Sequence, residues 1–295
     1  MKSFLYLVLL CLTAPALAVI WSEPVLLVEL NDPTTGNKAN DPYLSNDGLT
    51  IYFCRNGNDG NSRILKATRS SLSDPFSSVV EISELYVGKR LYSPWVSADG
   101  LRMYYARHEG ESTKTILRMA QRNTVNDPWQ DVMAFTAIHQ NLQYNAYESL
   151  MPDELTVYYS TPSPSAYNIW KATRSSIGDQ FTNPVAVSEL NDGTVSYTPH
   201  IMPDGLAIFY ASIRDGYTTA DLYMATRASL SDPFGNIERL NINSNLEMDS
   251  YPYVTPDMSA LYFTTPAGVC VSYAVPEPLT IALMATGGLF LRRKR

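Results

Sequence analysis

The residues best suited to chemistry are two acids, Asp41 and Glu148, each set just ahead of a short apolar stretch. Two carboxylates facing one another across a bond can act as acid and base or nucleophile, as glycoside hydrolysis requires. Corresponding positions carry Ser93, Thr198 and Ser250, an alignment that treats one residue as missing near Glu148, where the other copies have Pro. The next variable position holds Tyr43, Trp95, His200 and Tyr253. Polar and aromatic side chains converging on one opening suit a glycan or peptide. A solvated channel mouth with no ligand is the plainer alternative. The candidate ligand-binding set is therefore Asp41, Tyr43, Trp95, Glu148, His200 and Tyr253.

Other chemistries find little support. His108 and His139 fall in connecting or outer segments, and the chain has no Gly-x-Ser-x-Gly nucleophile turn. His200 has no second His at metal-ligand spacing. Residues 56–61 lack the acidic first position and the distal Glu of a calcium loop. No catalytic residue is assigned, and neither a metal nor a cofactor is expected.

The elements that must position these residues repeat along the chain. Asp47, Asp99, Asp153, Asp204 and Asp257 mark turns that recur with a period of roughly fifty-two residues, close to the spacing of propeller blades. A second column agrees: Arg69, Arg122, Arg174 and Arg227 each precede an acid (Asp74, Asp127, Asp179, Asp232) by a constant interval. These pairs are expected to be ion pairs or turn locks. The aromatic column of Trp21, Phe76, Trp129, Phe181 and Phe234 is expected to pack blade against blade.

After each turn Asp comes an alternating apolar stretch, such as residues 49–53 and 206–210, with the period of a strand in a packed sheet. A shorter strand precedes the Asp, a third ends at Ala-Thr-Arg or its equivalent, and a fourth follows Asp-Pro-Phe. Four strands in each of five copies predict an all-β, five-bladed propeller. The repeats run over residues 40–85, 92–138, 146–190, 197–242 and 250–273. The fifth copy lacks a fourth strand. Residues 21–32 align without a gap on residues 181–192, so the N-terminal strand, residues 21–30, is expected to complete the last blade and close the ring.

The ends read as address tags. Residues 1–18 combine Lys2, an apolar run and small residues at Ala16 and Ala18, the pattern of a cleaved signal peptide. Residues 276–295 contain Pro276, Glu277 and Pro278, then a short apolar run and a basic tip. Taking Lys2 and the four basic tip residues from the 22 Lys and Arg, and Glu277 from the 29 Asp and Glu, leaves a body over 19–275 of net charge −11. Such a body repels phosphate backbones, so nucleic acid is not an expected partner. The body keeps two cysteines, Cys54 and Cys270, which ring closure could bring together as a disulfide or leave as two buried thiols.

The C-terminal pattern resembles the PEP-CTERM sorting signal of exported bacterial proteins. That resemblance implies recognition by an exosortase-type enzyme and delivery to the cell surface or extracellular matrix, with membrane contact only through the tail; an ordinary C-terminal anchor is the alternative. The repeats, through Pro94 to Gly100 and Pro199 to Gly205, resemble those of TolB-like propellers, although Glu154 and Met258 replace the turn Gly in two copies. The resulting expectation is an exported propeller acting as a binding or scaffolding module for a polysaccharide or a surface protein. The alternative is a polysaccharide-active hydrolase or lyase using Asp41 and Glu148.

Overall fold

The computed structural model describes residues 19–110, 115–139, 146–162, 167–243 and 248–275. The expected leader (1–18) and sorting segment (276–295) lie outside the described residues. The chain forms five antiparallel blades arranged as a propeller. From the inner strand outward, blade 1 comprises Asn40–Leu44, Thr50–Asn56, Ser62–Thr68 and Ser77–Glu81. Blade 2 comprises Leu91–Val96, Arg102–His108, Thr115–Gln121 and Gln130–Phe135; blade 3 Ala146–Leu150, Thr156–Pro162, Tyr167–Thr173 and Thr182–Ala186. Blade 4 comprises Ser196–Ile201, Ala207–Ser212, Asp221–Thr226 and Gly235–Arg239. Blade 5 has Ser250–Val254, Ala260–Thr265 and Gly268–Val275, and its outer place is taken by Val25–Leu26.

That last pairing closes the ring. Val25 lies opposite Val271 and Leu26 opposite Cys270, while the Leu27 N–H donates to the Val269 carbonyl at 2.9 Å. The likeness to blade 3 extends to backbone angles: Leu27 has φ −85° and ψ 72°, Val187 has φ −87° and ψ 75°, and each leads into a single 3-10 turn, Val28–Leu30 or Ser188–Leu190. Asn241 at the end of blade 4 fastens the clasp from the other side. Its side chain accepts from the Trp21 N–H at 2.9 Å and donates to the Trp21 carbonyl at 2.7 Å. Trp21 is 2% exposed. Cys54 and Cys270 are both buried and unbridged, so closure rests on strand pairing and packing rather than a disulfide.

Apolar clusters form between neighbouring blades. Phe53 and Leu65 of blade 1 pack with Tyr262 and Val271 of blade 5, and Tyr104 and Leu117 of blade 2 with Val157 and Phe181 of blade 3. The outer strands begin earlier than their apolar residues suggest, directly after Phe76, Trp129, Phe181 and Phe234. Each turn Asp caps its own hairpin, as when Asp47 accepts from the Leu49 N–H at 3.0 Å and Asp204 from the Leu206 N–H at 2.8 Å.

The Arg column locks these turns, but not by pairing with the following acids. Arg69, Arg122, Arg174 and Arg227 donate through Nε to the carbonyls of Gly48, Gly100, Glu154 and Gly205 at 2.7 to 2.8 Å. Each guanidinium also lies over the aromatic of its own copy, 4.1 to 4.5 Å from the ring centre. A planar cation that accepts no hydrogen bond can satisfy a buried carbonyl and stack on a ring at once. The acids bond locally instead; Asp127, for example, accepts from the Thr124 N–H.

Where Glu154 and Met258 replace the turn Gly, the backbone keeps the left-handed φ, 60° and 57°. An L residue there costs about 1–2 kcal/mol. At Glu154 an interface contact offsets the strain: its buried carboxylate accepts from Arg102 of blade 2 at 2.8 Å and from the Tyr104 hydroxyl at 2.7 Å.

The clasp makes a direct prediction. Emptying the Trp21 site with Trp21→Ala should cost about 3–5 kcal/mol of unfolding free energy. The check is urea unfolding followed by far-UV circular dichroism; a loss below about 1 kcal/mol would show that the N-terminal strand is dispensable.

Candidate functional site

The inner strands bend at the same place in every blade. Their pairing with the second strand skips between Asn40 and Tyr43, Tyr92 and Trp95, Ala146 and Glu148, Tyr197 and His200, and Ser250 and Tyr253. The residue at the bend has left-handed φ: Asp41 53°, Ser93 50°, Tyr147 77°, Thr198 49° and Tyr251 53°. Five equivalent bulges turn the chain toward the axis and set three rows of residues around one cavity.

This geometry corrects two expected positions. Tyr147, not Glu148, occupies the row of Asp41 in blade 3, and Tyr251, not Ser250, occupies it in blade 5. No residue is missing from blade 3. Glu148 stands where the other blades have Pro42, Pro94, Pro199 and Pro252, and Ser149 takes the place of Tyr43, Trp95, His200 and Tyr253. All six candidate residues nonetheless line the same cavity.

The bend row is stitched across blade boundaries. The Ser93 N–H donates to Asp41 Oδ2 at 3.1 Å, the Tyr251 N–H to Thr198 Oγ1 at 3.2 Å, and the Asp41 N–H to Thr264 Oγ1 at 3.1 Å. The third row is stitched the same way. Tyr43 donates to the Val96 carbonyl at 2.9 Å, Tyr253 to the Leu44 carbonyl at 3.3 Å, and His200 Nε2 lies 3.1 Å from the Val254 carbonyl. In blade 3 Ser149 Oγ accepts from the Ile201 N–H instead, at 3.1 Å. Tyr43 packs against Trp95 and Tyr253, and His200 against Tyr253, with ring centres 4.9 to 5.8 Å apart. Tyr43, Trp95, His200 and Tyr253 thus form an aromatic plug, with the acid-lined cavity of about 40 Å³ on one side and a vestibule of about 200 Å³ beside the hairpin turns on the other.

Burial governs the electrostatics here. Desolvation pushes the Asp41 carboxyl up to about 7, partly opposed by the Ser93 N–H. Burial raises Glu148 well above the usual carboxylate range, and the charge of Asp41 raises it further. His200 is pushed down to about 4 by burial, so near neutral pH it is uncharged, its ring oriented by the Val254 carbonyl. Two acids that resist ionisation, meeting on one small cavity, could exchange a proton or share a cation.

One feature escaped the sequence reading. Tyr147 packs edge-on against Tyr251 at 5.0 Å and near Tyr197 at 6.1 Å, and Tyr197 lies 6.4 Å from Tyr167. Tyr147, Tyr167 and Tyr197, with Val195, Ile213 and Met248, line a groove of about 390 Å³ that meets the acid cavity at Tyr147. Tyr147 was discoverable: Pro42, Pro94, Pro199 and Pro252 each stand five residues before their turn Asp, and Glu148 stands five before Asp153. Tyr167 and Tyr197 lie on different blades, and no spacing rule joins them.

No family model matches the chain, and no curated protein matches it by sequence. Solved structures do share the fold. TolB from Acinetobacter baumannii is 14% identical over 74% of this chain and 47% of its own, with a TM-score of 0.50. An α-L-arabinofuranosidase from Podospora anserina, solved with cellotriose, is 12% identical over 88% of this chain and 97% of its own, with a TM-score of 0.60. A family-43 endo-arabinanase from Bacillus licheniformis is 15% identical over 83% and 96%, with a TM-score of 0.53. At these identities the likeness is one of fold.

The buried acid gives a pH dependence with a definite sign. Between about pH 4 and 7 the folded protein keeps an Asp41 proton that the unfolded chain, at its ordinary value of 3.8, has released. Stability from this group therefore falls as pH rises, by at most about 4 kcal/mol, and levels off above 7. In metal-free buffer the melting temperature of Asp41→Asn should gain on that of the parent between about pH 5 and pH 8. A constant difference would mean that Asp41 titrates as an ordinary surface acid.

Proposed function

We propose that the protein is an exported binding module that takes a glycan chain across the channel mouth and the adjoining tyrosine groove. The observation that carries this reading is the groove itself. Three tyrosines from two blades border a cleft continuous with the mouth, and rigid amphipathic rings provide apolar faces and hydroxyl tips suited to sugars. The net charge of −11 on the body favours a neutral or cationic polymer over an anionic one. The cellotriose bound to the Podospora neighbour is in keeping with a sugar ligand on this fold.

The terminal patterns support export by the N-terminal leader and sorting through Pro276, Glu277 and Pro278 by an exosortase-type enzyme, placing the propeller at the cell surface or in the extracellular matrix. A second reading, hydrolysis or elimination on a polysaccharide, has one observation in its favour: Asp41 and Glu148 meet on one cavity in proton-holding states. Room argues against it. A cavity of about 40 Å³ takes a few waters rather than a sugar ring.

Two experiments test these readings. On a glycan array the purified protein should bind a defined subset of neutral or amino-sugar polymers, and Tyr197→Ala should weaken that binding about tenfold or more, a loss of about 1.4 kcal/mol. Binding that ignores Tyr197 would remove the groove from the site, whereas product formation abolished by Glu148→Gln would establish the enzyme reading. In the native host, replacing Pro276, Glu277 and Pro278 by Ala should leave the protein at its unprocessed mass in the membrane fraction. Unchanged processing would exclude exosortase-type sorting.

A further inference from the structure

Because the blades repeat, the boundaries between them can be compared position by position. At the boundary of blades 2 and 3 the Glu154 carboxylate accepts from the Tyr104 hydroxyl at 2.7 Å and from Arg102 at 2.8 Å, and Arg174 reaches the same hydroxyl. Two guanidinium groups and a phenol together form a receptor, and the chain fills it with a carboxylate of its own.

The boundary of blades 1 and 2 has the same receptor without the carboxylate. Tyr52 stands in the place of Tyr104 and Arg122 in the place of Arg174, and Arg122 bears on the Tyr52 hydroxyl through charge and a hydrogen bond. The second cation is kept but moved. Thr50 replaces Arg102, while Lys66, directly opposite Tyr52, replaces Met119, which lies opposite Tyr104. Residues so paired have Cβ atoms about 5 Å apart. Lys66 is half-buried and, among the described residues, has no ion-pair partner. At the turn Gly100 replaces Glu154 with nearly the same φ, 70° against 60°, and a Cβ placed on Gly100 would lie 3.6 Å from Arg122 Nη2. In place of the carboxylate is a cavity of about 440 Å³ lined by Tyr52, Lys66, Gly100 and Arg122. The boundary of blades 3 and 4 differs. It keeps Tyr158, Lys171 and Arg227, but Leu230 and Met151 crowd its turn, only 2.7 and 3.0 Å from a Cβ placed on Gly205.

We propose that the cavity between blades 1 and 2 binds the carboxylate of a sugar acid, held by Arg122, Lys66 and the Tyr52 hydroxyl as Glu154 is held at the next boundary. Hydrogen bonds from cationic donors to a carboxylate are the strong kind. The volume admits a monosaccharide, and Asn46, Thr50 and Thr68 offer polar groups to its hydroxyls. Asp47 and Asp99 also border the cavity, but each is engaged by the N–H groups of its own turn, and Asp99 also by Arg102 at 2.9 Å. Glu154 is flanked by the equivalent acids, Asp99 and Asp153, and is bound all the same. A single uronate or a chain end brings one charge to two cations, whereas a polyanion would meet the net charge of −11 on the body. The inference does not rest on the glycan reading: this cavity shares Asn46, Val96 and Ala98 with the vestibule, across the aromatic plug from the acid cavity that the tyrosine groove joins.

The test is calorimetric titration of the purified protein with glucuronate at neutral pH. One saturable site should appear with dissociation of about 1 mM or tighter, and glucose, which lacks the charge, should bind about tenfold more weakly or less. Lys66→Met, which installs the residue that blade 2 carries at that place, should weaken glucuronate binding about tenfold, and Tyr52→Phe by a smaller factor. Gly100→Glu should abolish binding, because a tethered carboxylate then occupies the receptor; far-UV circular dichroism of each variant checks that it folds. No saturable heat up to about 20 mM glucuronate, glucose bound as tightly as glucuronate, or affinity unchanged in folded Lys66→Met would overturn the proposal.

Discussion

The structure depends on one constraint: a ring of sheets has no loose end only if its last sheet is finished by its first strand. Each blade buries apolar faces against its neighbours, so an interrupted ring would expose two such faces together with an unpaired strand edge. Val25, Leu26 and Leu27 close that edge on Gly268–Val275, and Trp21 fills the aromatic place that Phe181 fills in blade 3. Asn241 extends the closure to the preceding blade by hydrogen-bonding the Trp21 backbone in both directions. Chain ends far apart in sequence are thereby made one cooperative unit.

Closure in turn sets the character of the axis. Five inner strands brought around one line must present side chains there, and the left-handed bends at Asp41, Ser93, Tyr147, Thr198 and Tyr251 determine which ones. Tyr43, His200 and Tyr253 spend their polar ends on carbonyls of the next blade, so the plug they help build is itself an inter-blade bond. Asp41 and Glu148 differ because each keeps one oxygen unsatisfied.

Much of this was legible in the sequence because repetition sampled each blade five times. The Asp-Gly turns, the alternating strand after them and the Arg column fixed the blade count, and the match of residues 21–32 to 181–192 located the clasp. The register near the axis was harder to read, because a bulge shifts alternation by one residue and Glu148 does not look like a replacement for Pro. The partners of Arg69 and its equivalents were also hidden. A guanidinium beside an acid in sequence suggests an ion pair, yet the turn carbonyl and the aromatic ring are nearer in the fold. The strain at Glu154 makes sense only once Arg102 and Tyr104 of the neighbouring blade are seen to reach it.

The most direct measurement of ring closure is native-state hydrogen exchange at the Leu27 amide, which donates to the Val269 carbonyl across the closing pair of strands. A completed blade predicts that Leu27 exchanges as slowly as amides of the second strands, such as Phe53 and Tyr210, through the same global opening. Exchange at the rate of an unstructured chain, with those strands still protected, would show that the N-terminal strand does not share the last sheet.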